Sequence, residues 1–216
     1  MLLEKNVRNI PFKGILFLII IVFELTGFDL QQVNAQVNKI KKAIDVKHYT
    51  ITVSNRKGNS QDTVYYSKQH QLTWDDFRGT PRAESAYSAA AFTGFGYNGE
   101  VKYRGDTAII NIVMDVYFIQ SYSWVRVDAK SDYALAHEQL HFDITYLITE
   151  RLKKRLREIE LDSDFDSIIQ YQYLQSYREM NRLQERYDNE TRHGIVVSEQ
   201  LRWQTLVKNW LEEIHQ

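Results

Sequence analysis

The stretch "DYALAHEQLHFDI", residues 132–144, sets His137 and His141 four apart with Glu138 between them. In a helix each residue advances about 100°, so the two imidazoles lie about 40° apart in projection and one turn apart in height. Both can therefore reach one ion. Glu138 falls about 60° from His141 on the same side, near that ion but off the direct line. This is the H-E-x-x-H arrangement: two neutral imidazoles hold zinc, and the glutamate takes a proton from a water. Zinc lowers that water's pKa to about 7, within reach of a carboxylate base. The bland alternative is two surface histidines flanking a salt-bridging glutamate.

A catalytic zinc site takes a third protein ligand. Glu150 and Asp143 lie on the far side of the same helix from His141 and are set aside. The other candidates fall in "RYDNETRHG", some fifty residues on: His193, Glu190 and Asp188. His193 is favoured, because it precedes Gly194, where a turning chain lets an imidazole point inward; Glu190 and Asp188 stand behind it. A losing carboxylate can still orient a ligand imidazole. Tyr187 could serve a developing oxyanion, but a tyrosine at that spacing is read first as core. In "LTWDDF", Trp74 and Phe77 are expected to pack and Asp75 and Asp76 to cap a turn. His48, His70 and His215 have no partner pattern and are read as surface residues. The chain has no Gly-rich phosphate loop, G-x-S-x-G elbow or basic-aromatic nucleic-acid stripe.

The elements that must position these residues follow from periodicity. "YTITVS" alternates and is β-branched, which predicts a strand; "NRKGNSQD" predicts a turn. "QLTWDDFRGTPR" is read as a short strand entering a loop. Residues 86–127 carry alternation, aromatics and β-branched side chains, with Asn98-Gly99 predicted as a hairpin turn and Gly105-Asp106 as another bend. "YSWVRVD" is read as a further strand, giving a mostly antiparallel sheet of three to five strands. At Ser131 the period changes. Leu140, Ile144, Leu147, Ile148, Leu152, Leu156 and Ile159 predict a helix of nearly thirty residues, capped by Ser131 or Asp132. A second helix follows "DSDFDS", with Ile169, Tyr173, Tyr177, Met180, Leu183 and Tyr187 on one face, and stops near His193-Gly194. A third, over about 197–214, is expected to bury Leu201, Trp210, Leu211 and Ile214. The fold class is α+β: a small sheet, then a long active-site helix and two more helices, in a zincin-like arrangement.

The 216 residues are 44% hydrophobic and 25% charged, the profile of a globular chain able to bury a core. A formal net charge of −1 gives no global field for nucleic acid. The basic run "RLKKRLRE" is read as a solvated helix face. There is no cysteine, so any metal must be held by His, Asp and Glu. Lys5, Arg8 and Lys13 precede the apolar residues 14–23, and Val33 and Ala35 suit a cleavage site before Gln36. The expectation is a signal peptide over residues 1–35 and a single domain over 36–216, secreted or periplasmic. An uncleaved anchor is the alternative; no stable membrane insertion is expected once the signal is removed.

"LTWDDFRG", "LAHEQLHFDI", and "YDNETRHG" followed by "SEQLRW" carry a resemblance spanning residues 72–203. The chain resembles a family of exported bacterial proteins of unknown function that are labelled predicted secreted zinc-dependent proteases. The resemblance implies zinc at His137 and His141, Glu138 as catalytic acid/base, and a His193-containing block near the metal. That protease label itself rests on H-E-x-x-H. The expected function is an exported zinc metallopeptidase acting on a peptide or protein. Its rivals are a non-catalytic envelope protein with a structural metal and a zinc amidase acting on cell-wall peptides.

Overall fold

The computed structural model describes residues 46–56, 60–69 and 71–214. The expected signal peptide, His70 and His215 lie outside them. The architecture is α+β, a small mixed sheet followed by three helices. In chain order the strands are β1 (His48–Asn55), β2 (Thr63–Tyr65), β3 (Ala89–Ala90), β4 (Thr93–Arg104), β5 (Thr107–Ile119) and β6 (Trp124–Val125). The helices are α1 (Asp132–Glu158), α2 (Phe165–Thr191) and α3 (Val197–Ile214).

β5 is the spine of the sheet. It pairs antiparallel with β4 along one edge; on the other it pairs parallel with β1 and then antiparallel with β2. Its residues alternate strictly between buried and half-buried, with Ala108, Ile110, Ile112, Met114, Val116 and Phe118 on the core face. A period of two with one face covered is what fixes this register. The parallel β1–β5 pair makes the sheet mixed, though antiparallel pairings still predominate.

Three local expectations are corrected. Asn98-Gly99 lies inside β4, and the hairpin closes at Gly105-Asp106, where Gly105 takes φ +61, the sign a type II′ turn needs at its first central residue. The stretch around Trp74 forms a 3₁₀ turn, Trp74–Asp76, in place of a strand. There Asp76 Oδ2 accepts from Thr73 N (2.8 Å) and Thr73 Oγ1 (2.9 Å), while Phe77 packs on Phe118. A carboxylate that satisfies two nearby donors ends an extended segment. "YSWVRVD" supplies only two strand residues, which pair with β3 in a separate two-stranded sheet.

α1 runs 27 residues from a Ser131 cap, whose Oγ accepts from Ala134 N at 3.1 Å. Thr145, Ile148 and Thr149 are as fully buried as Leu140, Ile144 and Leu147, because the sheet covers one side of α1 and α2 and α3 cover the other. The basic run is less solvated than expected, since Lys153 is buried against Glu150 (2.7 Å). A second apolar cluster joins Leu140, Ile144 and Leu147 of α1 to Tyr187, Trp203 and Val207. Gln200, Trp203 and Val207 take the buried positions of α3; of the four residues expected there, Trp210, Leu211 and Ile214 are half-buried and Leu201 is exposed. Full burial of a side chain the size of Trp203 contributes about 2–3 kcal/mol, which fixes α3 against the helix pair.

Candidate metal centre

Two turns of α1 and the last turn of α2 build the site. The helices are antiparallel neighbours joined by six residues, so the end of α2 returns beside the start of α1. His137 Nε2 and His141 Nε2 lie 3.3 and 3.1 Å from one oxygen, Asp188 Oδ1. Among the described residues His137, His141 and Asp188 form one group, with ligand atoms all within 4.8 Å of one another, that could hold a metal ion. Donor atoms about 2.0–2.1 Å from a common tetrahedral ion stand about 3.3 Å apart. The two nitrogen–oxygen separations match that edge.

Asp188 Oδ1 is buried and lacks a hydrogen bond of sound geometry, although both imidazoles face it. A buried acceptor left in this way costs free energy unless something else satisfies it. Burial pushes its proton affinity up, but His137 and His141 outweigh that and hold the carboxyl well below the usual range. His141 shifts the other way. Its burial favours the neutral ring, yet the contact with Asp188 and the charge of Glu138 raise its proton affinity.

Glu138 occupies the same face and is buried, and that burial raises its carboxyl above the ordinary glutamate value against the pull of His141 and His137. Its Oε2 accepts from Ala91 N at 2.8 Å, just past β3. The carboxylate is thus pinned between the metal group and a strand end.

His193, the expected third ligand, stands outside the group. Arg192, His193 and Gly194 all take left-handed φ values (49, 53 and 82), which turns the chain out of α2. The His193 side chain is 44% exposed, against 8% for His137 and 11% for His141. Its Nδ1 is 3.6 Å from Asp188 Oδ1, and its ring leans on Tyr87 at 4.6 Å between centroids. Glu190 points away, toward Arg186 (2.6 Å), Arg202 and Trp203 Nε1 (2.8 Å). Glu150 is occupied by Lys153, and Asp143 by Tyr66 Oη (3.0 Å) and Gln139 Nε2 (2.8 Å).

Tyr187 is wholly buried, as a core residue would be, yet it also belongs to the site. Its ring stacks on His137 at 4.7 Å and its hydroxyl lies 2.7 Å from His137 Nδ1. Two glutamines went unread: Gln200 Oε1 is 3.1 Å from His137 Nδ1, and Gln184 Oε1 is 3.2 Å from His141 Nδ1. Gln184 had a detectable signal, since it lies one turn before Asp188 on the same helix face. Comparison with protein-family models, curated proteins and solved structures returns no match.

Proposed function

We propose that the chain is an exported zinc-dependent hydrolase, a metallopeptidase of the H-E-x-x-H type. The observation that carries this reading is the convergence of His137, His141 and the orphaned Asp188 Oδ1 beside a buried Glu138. Two imidazoles and a carboxylate suit zinc, and three protein donors leave a position open, which favours catalysis over a closed structural site. Zinc held there would polarise a carbonyl and bring a water's pKa to about 7. Glu138, with its proton affinity raised by burial, is suited to take the attacking water's proton and deliver it to the leaving amine. Export rests on the reading of residues 1–35.

A peptide substrate is supported by the strand next to Glu138. Ser88 O accepts from Arg126 N just past β6, and Ala90 pairs with Trp124, so Ala89 and Ala91 direct their backbone groups to the opposite edge, which no strand pairs among the described residues. Ala91 N–H meets Glu138 there. An extended chain laid on that edge would bond to Ala89 and bring a peptide carbonyl toward the glutamate. The segment "AIINIVMDV" cannot serve as such an edge, because it lies in β5, which is paired on both sides.

Hydrolysis of a mixed set of internally quenched peptides by the zinc-loaded full chain, beside Glu138→Gln, tests the reading. Zinc retained with turnover down at least ~100-fold is the expected result. Full activity in the variant would refute the mechanism. Turnover of cell-wall peptide cross-links but not of the linear peptides would favour the amidase reading.

A further inference from the structure

Each imidazole of the metal group has a glutamine side chain at its other nitrogen, and the orientation of both amides is fixed by third partners. Gln200 is completely buried, and its Nε2 donates to Tyr133 O at 3.2 Å. Its Oε1 is therefore the end that faces His137 Nδ1. Gln184 Nε2 donates to Thr145 Oγ1 at 3.0 Å and reaches Thr93 Oγ1 at 3.4 Å, so its Oε1 faces His141 Nδ1. Thr145 Oγ1 in turn donates to His141 O (3.0 Å), which leaves its lone pairs for the amide. A carbonyl oxygen only accepts, so both Nδ1 atoms must carry hydrogen. Tyr187 Oη is consistent with this, since it can receive from Nδ1 while directing its own proton to His137 O at 3.3 Å.

We infer that Gln184 and Gln200 are positioning residues that lock His137 and His141 in the Nδ1–H form, so that both present Nε2 to the metal. This rests on the metal reading above but not on peptide hydrolysis. It gives α3, which supplies no ligand, a direct part in the site through Gln200. It also sets the charge of the centre: the imidazoles are held by neutral amides, and Asp188 is the only anion in the ligand group. Partners of this kind fix ring orientation, and their loss typically weakens metal binding 10–100-fold.

Two measurements on the full chain test it. The first is zinc affinity by competition with a chromophoric chelator for wild type, Gln184→Ala, Gln200→Ala and the glutamate variants Gln184→Glu and Gln200→Glu. A loss of at least ~10-fold in each alanine variant, restored by glutamate, is expected, because a carboxylate keeps the acceptor that alanine lacks. A merely structural role would not be rescued by a buried charge. The second is NMR of the ¹⁵N-histidine-labelled, zinc-loaded protein. Wild type should show two exchange-protected Nδ1–H groups, with only that of His141 lost in Gln184→Ala and only that of His137 exchanging faster in Gln200→Ala, where Tyr187 Oη remains as an acceptor. Zinc bound as tightly by the alanine variants, or bound through Nδ1 in the wild type, would overturn the inference. A wild type that binds no zinc would instead overturn the metal reading on which it rests.

Discussion

Asp188 and His141 shift one another's proton affinity in opposite directions, the acid down and the base up, each against its own burial. The depressed Asp188 adds stability that is present above its unfolded value of about 4 and lost as pH falls through its folded value. The raised His141 adds stability that is present below about pH 6.5 and lost as pH rises through its folded value. Wild type without metal should therefore exceed Asp188→Asn in stability most between about pH 4 and 6.5, as measured by urea denaturation across that range. Zinc reverses the preference, because a proton on His141 must leave before the ring can bind an ion. Affinity should fall at least ~10-fold from pH 8 to pH 6 in chelator competition. At this scale the sequence was legible where spacing is rigid: four residues on one helix place His137, Glu138 and His141 without further information. It was illegible where the chain leaves the helix. His193 was favoured for its place before Gly194, but two left-handed residues swing it toward Tyr87, while Asp188 stays on the inward face of α2 one turn after Gln184.

The elements explain how the end of α2 can be both a turn and a wall of the site. Gly194 has φ +82, and a Cβ built there would lie 3.3 Å from the His137 ring. Its carbonyl also accepts from Tyr133 Oη at 2.6 Å. Gly194→Ala should cost about 1–2 kcal/mol, from strain at a left-handed position, and should also weaken zinc binding by pressing on the ring. Ser131→Ala, at the cap of α1, should cost about 1 kcal/mol and leave zinc affinity unchanged. Thermal denaturation and chelator competition on the two variants separate a residue that shapes the site from one that only holds the helix. The helices were legible because each buries a periodic stripe, and the bounds of α3 came out as expected. The strands were less so. Asn98-Gly99 is a strong turn signal taken alone, but extending β4 through it pairs twelve residues with β5, and that long ladder outweighs the local preference.

For the whole molecule, the site is held by three helices and one strand end, none of which carries it alone. α1 gives the two histidines and the glutamate, α2 gives Asp188 and Gln184, α3 gives Gln200, and the segment after β3 gives Ala91 N. Such a set forms only when the domain is folded, so zinc should stabilise the native state by RT ln(1 + [Zn]/Kd), about 4 kcal/mol at a thousandfold excess over Kd. A chelator should lower the Tm by several degrees and zinc should restore it. The mixed sheet could not be read from the strands singly, because the parallel β1–β5 pairing depends on segments nearly sixty residues apart. The most direct test of the central claim is metal content by elemental analysis of the purified full chain, beside Asp188→Ala and His193→Ala prepared identically. One zinc per chain in wild type and His193→Ala, and none in Asp188→Ala, is the expected result. No zinc in the wild type after zinc is supplied, or zinc kept by Asp188→Ala and lost from His193→Ala, would contradict the His137–His141–Asp188 centre.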